Sequence, residues 1–328
     1  MADIILGIGT SHTPMLNAPA ADWARFVERD SVRPQLDKQG NPVSYEELER
    51  MADPQLAGQV TLETFMARHR AAAREIERIR AALQAARLDA LIVVGDDQKE
   101  LFQDDNQPAI LVYRGATIRN VPLAADRPGP AWANAASARY YEADAAHDYP
   151  VDAALANHLV DVLVDAEFDV ACADRLAPGK GEGHAFGFVH NRLLTDKTLA
   201  VVPVFLNTYY PPNQPTPRRC YRLGQAIRRA VESYPEAARV GILASGGLSH
   251  FTVDEALDGQ VIQALRSKNA EALAALPRRQ LNSGNSEIRN WICMAGAIEH
   301  LALQSIEYIP AYRTRAGTGT GLCFGIWR

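Results

Sequence analysis

The stretch Ile4-Ile5-Leu6-Gly7-Ile8-Gly9-Thr10-Ser11-His12-Thr13-Pro14 is a short apolar run that ends in a turn of small residues. Its apolar residues predict a strand, and Pro14 keeps that strand from continuing. His12 is thereby delivered to the carboxyl end of a strand. In open α/β sheets ligands and catalytic groups collect at that edge, because the crevice outside the strand ends is the concavity the architecture provides. A histidine hydrogen-bonded within a loop is the plainer meaning of His12, since most histidines ligate nothing.

The same pattern recurs along the chain. Leu88–Val94 is a continuous apolar run, the signature of a strand covered by helices on both faces, and it stops at Gly95-Asp96-Asp97-Gln98-Lys99-Glu100. Acidic groups at a strand end suit a hard or borderline cation, and an Asp/Gly turn capping a helix is the alternative. Leu199–Leu206, LAVVPVFL, predicts a further strand running into Asn207-Thr208-Tyr209-Tyr210-Pro211-Pro212, a stiff aromatic loop suited to a preformed pocket wall. Val240–Ala244 ends in Ser245-Gly246-Gly247-Leu248-Ser249-His250-Phe251, a glycine turn that delivers another histidine. Shorter strands are expected near 109–112, 117–121 and 169–171, and a last apolar strand closes the tail.

Helical periodicity covers 62–86, 153–166, 217–233 and 255–275. Asn282-Ser283-Gly284-Asn285-Ser286-Glu287 leads into another helix and places Glu287 in its first turn, where a mere capping role is a fair reading. Residues 17–60 are polar and acidic with no strand period, an insertion of loops and short helices long enough to act as a lid. Gly179–Phe188 is glycine-rich but lacks a phosphate-loop pattern; its small residues let the backbone approach something closely and carry His184 there, with His190 six residues on. The expected architecture is one α/β domain, 1–328, with a central, mostly buried mixed sheet flanked by helices.

A net charge of −5 argues against a nucleic-acid surface. Cys172, Cys220, Cys293 and Cys323 lack the spacing of a zinc ribbon or a disulfide framework. Neither a signal-peptide pattern nor a long apolar span is visible, so a cytoplasmic location is expected. The basic cluster from Arg218 to Arg229 falls on a helix and suits a solvated or subunit-facing surface.

His12, the Asp96–Gln98 cluster, His184, His250 and Glu287 come from separate segments, as in a site built on a sheet edge. Imidazole or amide donors with one carboxylate and open positions suit Fe(II) that binds substrate and dioxygen, with a further histidine for acid/base work. GIGTSHTPM, VVGDDQ, HAFGFV, PVFLNTYYPPNQPTPRRCYRLG, ASGGLSHF, NSEIRNW and AGTGTG together resemble the class III extradiol ring-cleavage dioxygenases, the family of the protocatechuate 4,5-dioxygenase β subunit. The likeness is greatest to gallate and 3-O-methylgallate dioxygenase-type members and covers nearly the whole chain.

The resemblance implies an α/β fold, nonhaem Fe(II), and opening of a catecholic acid beside its two hydroxyls, in aromatic catabolism. It implies His12 and Glu287 as iron ligands, His250 as base and acid, and His184 as a histidine contacting substrate or oxygen. A glutamine stands where the family has its second iron histidine, so Gln98 or the adjacent Asp97 ligates, or the metal is held differently or lost. Tyr209, Tyr210, Ser249 and His190 are candidate substrate contacts, and a homodimer or larger homo-oligomer is expected. An oxygen-independent acid/base or hydrolytic enzyme using the same pocket, and a noncatalytic subunit, are the alternatives.

Overall fold

A computed structural model describes residues 1–328. Nine strands form one sheet: β1 (Asp3–Thr10), β2 (Ala90–Asp96), β3 (Ile110–Tyr113), β4 (Ala171–Ala173), β5 (Ala200–Leu206), β6 (Arg239–Ser245), β7 (His250–Thr252), β8 (Leu303–Tyr312) and β9 (Thr318–Trp327). Their order is β7-β9-β1-β6-β2-β5-β3-β4, with β8 along the other side of β9. The centre, β1-β6-β2-β5, is parallel; β5 pairs β3 and β1 pairs β9 antiparallel. The protein is thus a single α/β domain with a mixed sheet between helical layers.

The strand period of two explains why both faces must be covered. In β2, Ala90, Ile92 and Val94 enter one apolar core while Leu91 and Val93 enter the other. The first core lies under α2 (Ala153–Asp165), α3 (Pro217–Ser233), α4 (Glu255–Arg266) and α5 (Ile288–Ala297). The second lies under α1 (Leu62–Ala86), which buries Phe65, Ile76, Ile79 and Leu83. Each such side chain contributes about 1.5–3 kcal/mol of burial. No helix is long and apolar enough to cross a membrane.

Three local expectations change. The helix expected over 255–275 is two helices, because Lys268 turns to a φ of 52° and Asn269 caps a new start at Ala270. Residues 17–60 do contain strand structure, a small ladder of Gln35–Leu36 with Pro42–Val43 around a turn in which Asp37 accepts hydrogen bonds from Gln39 and Asn41. The segment 117–120 leaves the main sheet and pairs with 147–150.

The stretch 17–60 is tied to the rest by buried polar contacts. Arg313 grips Asp30 through two nitrogens at 2.7 and 2.8 Å, and Thr318 donates to the same carboxylate. Arg279 donates to Gln39 O and Asn41 Oδ1, and Thr252 to Leu36 O. This segment thereby lies over the carboxyl ends of the parallel strands.

Candidate active site at the carboxyl ends of the parallel strands

Each central parallel strand delivers a polar group to one place. His12 follows β1, Asp96 closes β2 with Gln98 just beyond, Tyr209 follows β5, and Ser245 closes β6. Glu287 comes from the opposite direction, at the end of the 3-10 turn Ser283–Glu287 and the start of α5. That helix is pinned to the end of β6: Asn290 donates to Ser245 O and Trp291 to Gly246 O, both at 2.8 Å. Gly246 has a φ of 150°, and a Cβ there would lie 3.0 Å from Glu287, so the turn needs glycine twice over.

The tautomer of His12 follows from its partners. Ser245 Oγ donates its proton to Ala185 O at 2.7 Å, so at 3.0 Å from His12 Nδ1 it accepts. His12 therefore carries its hydrogen on Nδ1 and presents a lone pair at Nε2. That buried atom has no hydrogen-bond partner, although Glu287 Oε2 lies 3.4 Å away and Asp96 Oδ1 4.0 Å away. Lone pairs facing lone pairs among buried groups call for a positive centre between them.

His12, Asp96 and His184 offer donor atoms all within 4.8 Å of one another. With Glu287 this makes two imidazoles and two carboxylates, a donor set that suits a borderline divalent metal. Burial and the neighbouring Glu287 charge push Asp96 up to about 6. Burial opposes ionisation of Glu287 too, but the charge of neighbouring His250, the largest of the opposing causes, helps hold this carboxyl well below the usual range. Gly247 N and Tyr209 OH donate to it at 2.8 Å.

His250 closes the other side. Its Nδ1 donates to Leu248 O at 2.9 Å, leaving Nε2 3.1 Å from Glu287 Oε1. Burial works against its charge, and Glu287 more than compensates, raising its pKa. The loop is held from behind, since Asn285 Oδ1 accepts from His250 N and Gly284 leaves the space that the imidazole fills. His184 turns Nδ1 to Glu100 at 2.7 Å and Nε2 toward Gln98. Burial resists its ionisation, but the Glu100 carboxylate prevails and raises it to about 10.

Of the residues singled out from sequence, His12, Gln98, His184, Tyr209, His250 and Glu287 line one cavity of about 410 Å³. Gln98 sits in the centre, its amide nitrogen 3.4 Å from Asp96, 3.3 Å from His184 and 3.4 Å from Glu287. Asp97 is turned away, its oxygens accepting from Leu101 N and Phe102 N. With Glu287, the carboxylate near His12 is Asp96, the last residue of β2, while Asp97 lies beyond the strand end.

Ser249 is not brought to the cavity either. It donates to Asp258 at 2.6 Å beneath the His250 loop. His190 is buried against Glu182 at 2.8 Å and stacked on Tyr149, and Tyr210 sits outside under Lys99. Sequence reasoning named Ser245 and Glu100 only within their strand-end runs and did not single out Tyr140 or Tyr141; the signals that give all four a role are partner groups from distant segments. Tyr140 donates to His12 O, and Tyr141 to Glu100 at 2.6 Å.

Residues 68–322 match the family described as the catalytic LigB subunit of aromatic ring-opening dioxygenase. The chain belongs to that family. It is 42% identical over 101 residues to gallate dioxygenase of Pseudomonas putida, a match covering 30% of this chain and 28% of that protein. It is 32% identical over 96 residues to the 2,3-dihydroxyphenylpropionate/2,3-dihydroxicinnamic acid 1,2-dioxygenase of Comamonas testosteroni, covering 29% of each. The chain thus spans less than a third of the length of either relative in these matches. The family model, by contrast, reaches from α1 to β9 and takes in every site residue after His12.

Proposed function

We propose that this protein is an Fe(II)-dependent extradiol dioxygenase that opens the ring of a catecholic aromatic acid with O2. The observation that carries the reading is the lone pair of His12 Nε2, buried, unpaired and aimed at Glu287 and Asp96. His12 and Glu287, with Asp96 or His184, would hold the iron, and Gln98 could offer its carbonyl oxygen after a half-turn of the amide. Bound iron supplies the activation of dioxygen that no amino-acid side chain provides.

The chain's own groups do the rest. A cavity of about 410 Å³ accommodates a substituted aromatic ring. His250, fixed through Nδ1, points Nε2 at Glu287 Oε1, 3.1 Å away, the place where it would exchange a proton with a substrate hydroxyl. Tyr209 and Gly247 hold the Glu287 carboxylate in one orientation. Phe188 packs edge-on against His12 and Tyr140 against His184, two of the three site imidazoles.

The test is iron analysis of anaerobically purified protein, followed by oxygen-electrode traces with protocatechuate, gallate and 3-O-methylgallate. Iron near one per chain with stoichiometric O2 uptake supports the reading. Turnover under argon, or a metal-free protein that consumes no oxygen after iron addition, overturns it. The Gln98 nitrogen, 3.4 Å from both Asp96 and Glu287, is the observation that would then favour metal-independent acid/base chemistry.

A further inference from the structure

The cavity is electrostatically lopsided. Its two lining carboxylates, Glu100 and Glu287, belong to the inner end, where His184 and His250 engage them. The outer end carries Arg29, Arg33, Arg127 and Arg313. Arg313 is neutralised by Asp30, whose oxygens are also claimed by Thr318. The other three guanidiniums make neither an ion pair nor a hydrogen bond; Arg29 lies 5.7 Å from the Phe26 ring and Arg33 5.9 Å from that of Phe251.

These arginines do not belong to one exposed helix face. Arg29 and Arg33 come from the segment 17–60, while Arg127 comes from a loop secured by Asn134, which donates to Arg127 O at 2.8 Å. Arg29 is only partly exposed, and burial followed by the charges of Arg33 and Arg313 lowers it to about 10. Gathering cations without a counter-charge costs folding free energy, and a ligand that supplies the missing anion recovers it. Guanidinium is also the side chain whose planar fork matches a carboxylate.

We propose that Arg29, Arg33 and Arg127 form an anion-binding pole at the outer end of the cavity, which recognises a carboxylate carried by the substrate. Resting on the ring-opening reading, this orients the substrate: diol toward Glu287 and His250, acid toward the arginines. Phe251 follows His250 directly and lies beside Arg33, so the pole and the proton-transfer group are neighbours on one wall. Specificity for acids over neutral catechols then comes from segments outside the sheet.

The experiment is anaerobic isothermal titration, so that binding is read without turnover. The probes are 3,4-dihydroxybenzoate and 3-(3,4-dihydroxyphenyl)propionate, each against its own amide. At least one acid is expected to bind tenfold or more tightly than its amide. Raising NaCl from 50 to 300 mM should weaken the acid and not the amide. R127Q and R33Q, at exposed positions, should each cut the acid preference several-fold by weakening the acid more than the amide, with R29K retaining more of it than R29Q.

Equal affinities within both pairs, or an acid preference untouched in all three glutamine variants, overturn the proposal. Oxygen uptake is scored separately. Acid preference without ring opening would refute the dioxygenase reading and leave the pole standing, and ring opening of acids and amides alike would do the reverse.

Discussion

At the scale of the residue, one hydroxyl decides the chemistry of the site. Ser245 spends its proton on Ala185 O and so compels His12 to carry hydrogen on Nδ1. If His12 holds the proposed metal, this hydrogen on Nδ1 is what lets Nε2 offer its lone pair, the division of labour between a ligand and the group behind it. Ser245→Ala should weaken Fe(II) binding roughly 10- to 100-fold by chelator competition, with little change in the circular dichroism spectrum. An unchanged affinity would mean that His12 is not a ligand. The arrangement also shows why residue types at strand ends signalled a site while their roles stayed hidden: His12, His184, His250 and Glu287 are visible as chemistry-bearing side chains. Ser245, an ordinary serine in a glycine turn, acquires its role from Ala185, 60 positions away.

At the scale of elements, the site depends on how closely helices and strands approach. Helices α3 and α5 cross where a Cβ on Gly224 would lie 1.8 Å from Cys293 O. Gly224→Ala should therefore lower stability by roughly 1–3 kcal/mol, seen as a lower urea midpoint with unchanged slope. Because α5 carries Glu287, metal affinity should fall with it, and a full-stability variant would show that the helices can part without cost.

The loop behind His250 has its own signature. Burial pushes Asp258 up to about 6 despite hydrogen bonds from Ser249 and Tyr308. A carboxyl whose folded pKa exceeds its unfolded value of about 3.8 binds more protons in the native state. Its contribution therefore grows more favourable as pH falls from about 6 to about 3.8. Urea midpoints of wild type and Asp258→Asn compared at pH 7.5 and pH 5 should show the wild type gaining relative to the variant at the lower pH. Parallel shifts would place the Asp258 carboxyl in the ordinary range.

At the scale of the whole molecule, the segment 17–60 is joined to the tail by the Asp30–Arg313 pair, both partners buried. Removing one partner of such a pair leaves the other charge stranded. Asp30→Ala should cost about 3–5 kcal/mol and open residues 17–60 to limited proteolysis before the core unfolds. If the variant resists protease as wild type does, the small ladder and the Arg279 contacts suffice to hold the segment.

Strand-length apolar runs, amphipathic helices and the residues at their ends were enough to set the fold class and to nominate six of the groups that line the cavity, because periodicity and strand termination are local properties of the chain. The sequence also carried the family likeness, now matched over 68–322. The break at Lys268, the turn of the Asp97 carboxylate to Leu101 N and Phe102 N, and the withdrawal of His190 and Ser249 into buried pairs are visible only in three dimensions. Each depends on which face of an element meets a partner from a distant segment, and hydrogen-bond satisfaction and burial are properties of the packed assembly, not of any window of sequence.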